Sequence, residues 1–214
     1  MDEIEVEVWG DFACFSRPES KVERLSYPVI TPSAARGILS AIYSKPVEFY
    51  WQVTRIEVLK PIRFISFKRN EVKSRQADKS IIVEDDHTPR QSVVLKDVRY
   101  RISAIMIKQP DYKGSVTQLY EQARRRIKGG KCFYQPSLGL REFVCYFDEP
   151  TDMKPINEDM DIGLMLYDVF DLHKHSVDRK CNPFVTLYYA KMQNGIINVP
   201  DFDSDDVIKP KGVD

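Results

Sequence analysis

RRRIKGGKCFYQPSLGLREF, residues 124–143, is the stretch on which the reading of this chain turns. Arg124, Arg125 and Arg126 end a predicted helix, and Gly129 and Gly130 follow between Lys128 and Lys131. Phe133 and Tyr134 come next, then a turn at Pro136, a second turn at Gly139, and Arg141 leading into an apolar strand that ends at Phe147. A glycine pair lets one backbone approach another and expose its N–H groups. Cations neutralise phosphate, and aromatic faces stack on unpaired bases. These residues therefore read as an RNA-binding loop. They read equally as a glycine C-cap after a solvated basic helix end, because cations suit a helix C-terminus in any case.

Upstream of the stretch, Val116, Leu119, Ala123 and Ile127 are spaced for one face of a helix over residues 115–128. Before it, residues 97–107 alternate as a strand, with Val98, Tyr100, Ile102, Ala104 and Met106 on one side. Residues 68–95 are polar and charged, and are expected to form a protruding hairpin or arm that touches RNA or a neighbouring subunit. Residues 49–59 alternate as another strand. Thr31-Pro32 starts a helix as N-cap and first turn, Ala35, Ile38, Leu39 and Ile42 mark its buried face, and Pro46 stops it. Ile4, Val6 and Val8 alternate with glutamates in a first, half-buried strand, and residues 10–30 form a long connection.

The order is strand, helix, strand, arm, strand, helix, strand. That is the βαββαβ order of the ferredoxin-like fold, shared by RNA-recognition domains, so an α+β class is expected. The core is read as residues 1–147, with the arm at 68–95. Residues 148–200 are read as a small C-terminal β region, with strands near 162–170, 184–192 and 196–199 and a hairpin turn at Asn194-Gly195. Residues 201–214 are read as a loose acidic tail.

Net charge is zero over 214 residues, but the zero hides a split. Residues 60–131 carry 18 Lys/Arg against 8 Asp/Glu, a balance of +10, whereas residues 147–214 carry 7 against 14. A basic middle within a neutral chain argues for a localised anionic partner. Besides the opening stretch, Arg17, Lys21 and Arg24 in the first connection, Lys45 after the first helix, and Lys68 and Arg69 at the start of the arm are candidate RNA contacts. No apolar run is long enough to cross a membrane and no leader pattern opens the chain, so a soluble cytoplasmic protein is expected. The four cysteines, Cys14, Cys132, Cys145 and Cys181, form no CxxC pair and read as free thiols. His173 and His175 alternate in DLHKH and His87 sits in the arm. With no third ligand evident, these read as solvated side chains, and neither metal nor cofactor is expected.

Several of these segments resemble a known family. WGDFACFSRPESKVERLSYPVITPSAARGILSAIYSKP, KRNEV, LKDVRYRISA and CFYQPSLGLREF, collinear between Trp9 and Phe147, resemble the CRISPR-associated Cas-five family of subtype I-C. The resemblance implies the RAMP superfamily, a ferredoxin-like core with a β-hairpin thumb, and a small C-terminal β region. It implies a subunit of the type I-C Cascade antiviral complex, beside a backbone RAMP subunit and a large subunit, reaching target DNA through the complex. It also implies binding of the repeat-derived 5′ handle of CRISPR RNA and metal-independent cleavage of the precursor.

Metal-free cleavage turns a 2′-hydroxyl on the neighbouring phosphate and needs a base, an acid and cations for the phosphorane. In the family this falls to a tyrosine after the first helix and to a Lys-His pair opening the second. Tyr43, in AIYSKP, matches the tyrosine, although such a residue also reads as an ordinary core-edge side chain. The pair falls on Gln118-Leu119, so Lys113 is the candidate lysine. Lys45, Lys113 and Lys131 are expected to lower the Tyr43 phenol and give an alkaline optimum. Two further readings stand beside the nuclease. One is a non-catalytic subunit that caps the RNA 5′ end. The other is a general RNA-recognition module, which lacks its usual aromatic sheet signature here.

Overall fold

Ile4, Val6 and Val8 bury one face of the first strand while Glu5, Glu7 and Trp9 take the other, and the rest of the sheet is laid on that alternation. The computed structural model describes residues 2–20, 23–72, 87–174 and 184–210. Expectations for Lys21, residues 73–86 of the arm, His175, Cys181 and residues 211–214 lie outside them.

Strand β1 (Ile4–Ala13) is followed by a short β2 (Arg24–Leu25), helix α1 (Pro32–Ile42) and β3 (Phe49–Val58). Then come β4 (Phe64–Val72), β5 (His87–Lys108), helix α2 (Val116–Lys128) and β6 (Tyr146–Asp148). β6, β1, β5 and β3 lie side by side in that order, each antiparallel to its neighbour. In the βαββαβ count this is fourth, first, third, second, the ferredoxin-like arrangement expected from the sequence.

Asp97 breaks β5 into two halves with a positive φ of 55°. Residues 98–108 pair with the core strands, and residues 87–95 pair with β4 as a hairpin thumb. Lys60 holds the Asp97 carboxylate at 2.5 Å, and that hydrogen bond keeps its carboxyl below the ordinary value. The arm read over 68–95 is corrected at its base. Ser92, Val94 and Leu95 are buried, because this part of β5 is still paired to β1 and β2.

α1 begins as its sequence dictates. Thr31 Oγ1 accepts from the Ala34 amide at 3.2 Å, and Pro32 occupies the first turn. Its end is pinned by β3, where the Trp51 indole donates to the Tyr43 carbonyl at 2.7 Å. The strand expected at 142–147 is shorter, because residues 136–145 fold into a small hairpin closed by Leu138 N–H to Phe143 O and Cys145 N–H to Pro136 O. Gly139 is obligatory there: its φ is +85°, and an added Cβ would lie 1.9 Å from the Cys14 carbonyl oxygen.

C-terminal strands β7 (Met160–Asp168) and β8 (Thr186–Met192) form a two-stranded ribbon against α1, clamped by Arg36 to Asp168 at 2.5 and 2.9 Å. β9 (Ile196–Asn198) leaves the ribbon and joins the main sheet beside β3. Residues 201–208 are not loose, since Phe202 and Val207 are buried and Ile208 bridges Leu187.

The helix-free face of the sheet is ionic. Glu7 is fully buried, paired with Arg99 and capped by the Thr151 amide and hydroxyl at 2.9 and 2.8 Å. Arg101 joins Glu57 at 2.7 Å to the carbonyls of Thr151 and Met153, and Arg55 joins Glu57 to Glu5. Trp9 lies between Arg99 and Tyr146 at the edge of the lattice. The segment that follows β6 therefore crosses this face as a cover.

Candidate functional site

The C-terminal end of α1 meets the middle of α2 at Tyr43. The side chain is 1% exposed, packed on Phe49 and stacked on Phe133 with ring centres 6.4 Å apart. Its hydroxyl donates to Gln122 Oε1 at 2.8 Å. Burial pushes the phenol above its ordinary value of 10, and the nearby Lys45 only partly offsets this. The expected lowering by cations is thus reversed: the desolvation cost of a phenolate exceeds what the adjacent ammonium returns. Lys45 is itself held by the Glu48 carboxylate at 2.9 and 3.1 Å, which raises its own value. Lys113 is exposed on the turn before α2, while Gln118 is exposed and Leu119 is buried in the core.

Gln122 carries no charge and no motif, and the sequence reading missed it. The signal was helical spacing, since Gln118, Gln122 and Arg126 recur every four residues and line one face. Arg126 Nε donates to the Ile42 carbonyl at 2.7 Å, and its guanidinium lies 4.2 Å from the centre of the Phe133 ring. It stitches the two helices together beneath the loop.

The glycine pair caps the end of α2. The amides of Gly129, Gly130 and Lys131 donate to the carbonyls of Arg125, Ile127 and Arg126, so they are used by the helix end. Gly130 takes the left-handed φ of 60°. The close backbone approach expected there is made instead by Gly139. Past the cap, the Phe133 amide donates to Ala41 O at 2.7 Å and fixes the loop on α1. Phe133 and Tyr134 remain 56% and 61% exposed, with Arg125, Lys128, Lys131 and Arg141 also exposed. Arg124 reaches back to the Glu3 carbonyl at 3.5 Å. Beside Tyr134 a groove of about 360 Å³ runs along α1, floored by Ser33, Ala34 and Gly37.

The other candidates lie apart from Tyr43. Arg17 sits 4.5 Å over the Tyr27 ring and pairs with Glu19. Arg24 and Arg69 meet at the base of the thumb, where both are paired with Glu142. Lys68 is exposed on the other side of β4. His173 pairs with Asp203 at 3.1 Å and packs on Phe202. Among the described residues no three His, Cys, Asp or Glu side chains converge as metal ligands, and no helix is long and apolar enough to cross a membrane.

The class defined here is a ferredoxin-like sheet with a hairpin thumb, carrying a basic, aromatic loop on its first helix beside a tyrosine. The family model for CRISPR-associated protein (Cas_Cas5) matches residues 3–200, and the chain belongs to that family as a Cas5d, the type I-C form. It is 39% identical to the CRISPR pre-crRNA endoribonuclease Cas5d of Mannheimia succiniciproducens, over 95% of this chain and 97% of that one. It is 47% identical to the protein of the same name from Thermus thermophilus, over 79% of this chain and 74% of that one. A crystal structure of a CRISPR-associated protein shares the fold with a TM-score of 0.69 at 22% identity, covering 97% of this chain and 96% of its own. SMU1763c from Streptococcus mutans shares it at 0.68 and 20%, with 97% of each chain covered.

Proposed function

We propose that this protein binds repeat-derived CRISPR RNA and cuts the precursor without a metal, then holds the 5′ handle within a type I-C Cascade complex in the cytoplasm. The observation that carries this reading is the end-to-end similarity to a protein named a CRISPR pre-crRNA endoribonuclease. The exposed cations at the end of α2 and the two exposed aromatic rings beyond it suit a phosphate backbone with unpaired bases. The backbone RAMP subunit, the large subunit and, through them, target DNA complete the partners of this reading.

In the cleavage step the 2′-oxygen attacks phosphorus, the 2′-proton leaves to a base, and the 5′-oxygen departs with a proton, giving a 2′,3′-cyclic phosphate. Tyr43 serves as a neutral phenol that orients the 2′-hydroxyl, because burial keeps it protonated. Lys113 supplies positive charge for the phosphorane. The test is incubation of the purified protein with a repeat-containing RNA in EDTA. Discrete products ending in a cyclic phosphate are expected.

The burial of Tyr43, its bond to Gln122 and the buried Leu119 favour a second reading, in which the protein caps the RNA without cutting it. RNA that is bound but uncut at every pH selects that reading.

A further inference from the structure

At the base of the thumb the fold collects three guanidiniums. Arg69 on β4 and Arg90 on β5 are direct cross-strand partners, and β2 adds Arg24 beside them through its pairing with Ser92. Like charges placed directly opposite work against a hairpin. Two carboxylates hold them. Glu71, on β4 itself, takes Arg24 at 3.1 Å and Arg90 at 3.4 Å. Glu142 takes Arg24 at 3.2 Å and both terminal nitrogens of Arg69 at 2.5 and 2.6 Å.

Glu142 differs from Glu71 in origin. It comes from the small hairpin 136–145 and not from the thumb, and its side chain is 38% exposed against 33% for Arg69. An arginine fork takes carboxylate and phosphate in the same bidentate geometry. Exposed pairs of this kind contribute little net stability, so the occupant can be exchanged without unfolding the protein. Arg141, the residue before Glu142, is exposed.

We propose that Arg24, Arg69 and Arg90 form a phosphate subsite for the RNA backbone, occupied in the free protein by Glu142 as an internal stand-in. This rests on the reading of the chain as a CRISPR RNA binder. The RNA phosphate displaces the Glu142 carboxylate, whose exposed side chain turns to solvent while the hairpin backbone stays in place.

The experiment measures binding of single-stranded repeat RNA across a salt series for the wild type, Glu142→Gln and Arg69→Gln/Glu142→Gln. Glu142→Gln is expected to bind about two- to fivefold more tightly, as removal of one competing exposed pair allows. Its log–log salt slope is expected to match or exceed that of the wild type, and the double variant is expected to lose the gain. Unchanged affinity in Glu142→Gln, or a gain that survives in the double variant, overturns the proposal. Should Glu142→Gln fail to fold, Arg69→Lys keeps the charge without the fork. Weaker RNA binding there supports the subsite, and unchanged binding overturns it. A separate arm follows the arginine Nε–H signals by NMR while inorganic phosphate is added. Signals that shift in Glu142→Gln more than in the wild type support the anion site. If the wild type binds no RNA while those signals still shift, the RNA reading falls and the occupant is a free anion instead.

Discussion

The Tyr43 hydroxyl donates to Gln122 across 2.8 Å, so the end of the first helix and the middle of the second share one buried proton. The bond fixes the Tyr43 ring between the two helices, where it stacks on Phe133. It also commits the phenol to its neutral form.

Replacing Tyr43 by Phe removes that bond and leaves the ring stacked on Phe133. Cleavage of repeat RNA is expected to vanish while affinity stays within about twofold. Stability should fall by about 1 kcal/mol, since Gln122 loses its donor. Single-turnover assays, gel shifts and thermal melts check the three parts, and full cleavage by the variant would remove Tyr43 from the chemistry.

Because burial holds the phenol above 10, it does not ionise near neutrality. The cleavage rate is expected to lack a Tyr43-dependent limb between pH 7 and pH 9. A tenfold rise per pH unit across that window in the unmutated protein would count for the tyrosinate as the base after all.

Arg124 and Arg125 are exposed at the end of α2, whereas Arg126 is built into the junction through Ile42 and Phe133. Arg124→Glu/Arg125→Glu should weaken RNA binding and flatten its salt dependence by about 0.7 in log–log slope for each phosphate no longer neutralised. Arg126→Ala should instead lower the melting temperature and loosen the loop, visible as faster amide exchange at Phe133. An unchanged salt slope in the double variant would mark the helix end as merely solvated.

The Glu7 carboxyl supplies a pH dependence of stability. Burial works to raise it, but hydrogen bonds from Thr151 and Arg99 outweigh that and hold it below the ordinary 4.5. A group depressed in the folded state stabilises above its unfolded value and loses that contribution as pH falls through the folded one. The melting temperature should therefore drop as pH is lowered below about 4.5. Glu7→Gln should melt lower at pH 7 and show a shallower acid slope. Parallel acid curves for the two proteins would assign the loss to other carboxylates.

Both helices were legible because their signals are local. Thr31, Pro32 and the buried spacing of Ile38, Leu39 and Ile42 need no tertiary context. The strand order followed once the βαββαβ count was made. The polar run 68–95 was legible as a protruding hairpin, but not the strand within its outer half, because HTPRQ has no apolar side to alternate. Phe143, Val144 and Cys145 read as strand because they are apolar, but the φ of +85° at Gly139 turns them into a hairpin first. At the site, Tyr43 was visible and its surroundings were not, since a phenol's ionisation depends on burial by Phe49 and Phe133 rather than on nearby lysines in the chain.

The ionic lattice of Glu5, Glu7, Arg55, Glu57, Arg99 and Arg101, roofed by Thr151 and Met153, gives the molecule a front and a back. Sheet-type RNA readers offer bases the very surface that this lattice has spent on itself. Here the pleated side is taken up by its own charges, and the exposed Phe133 and Tyr134 rings stand by the helices instead.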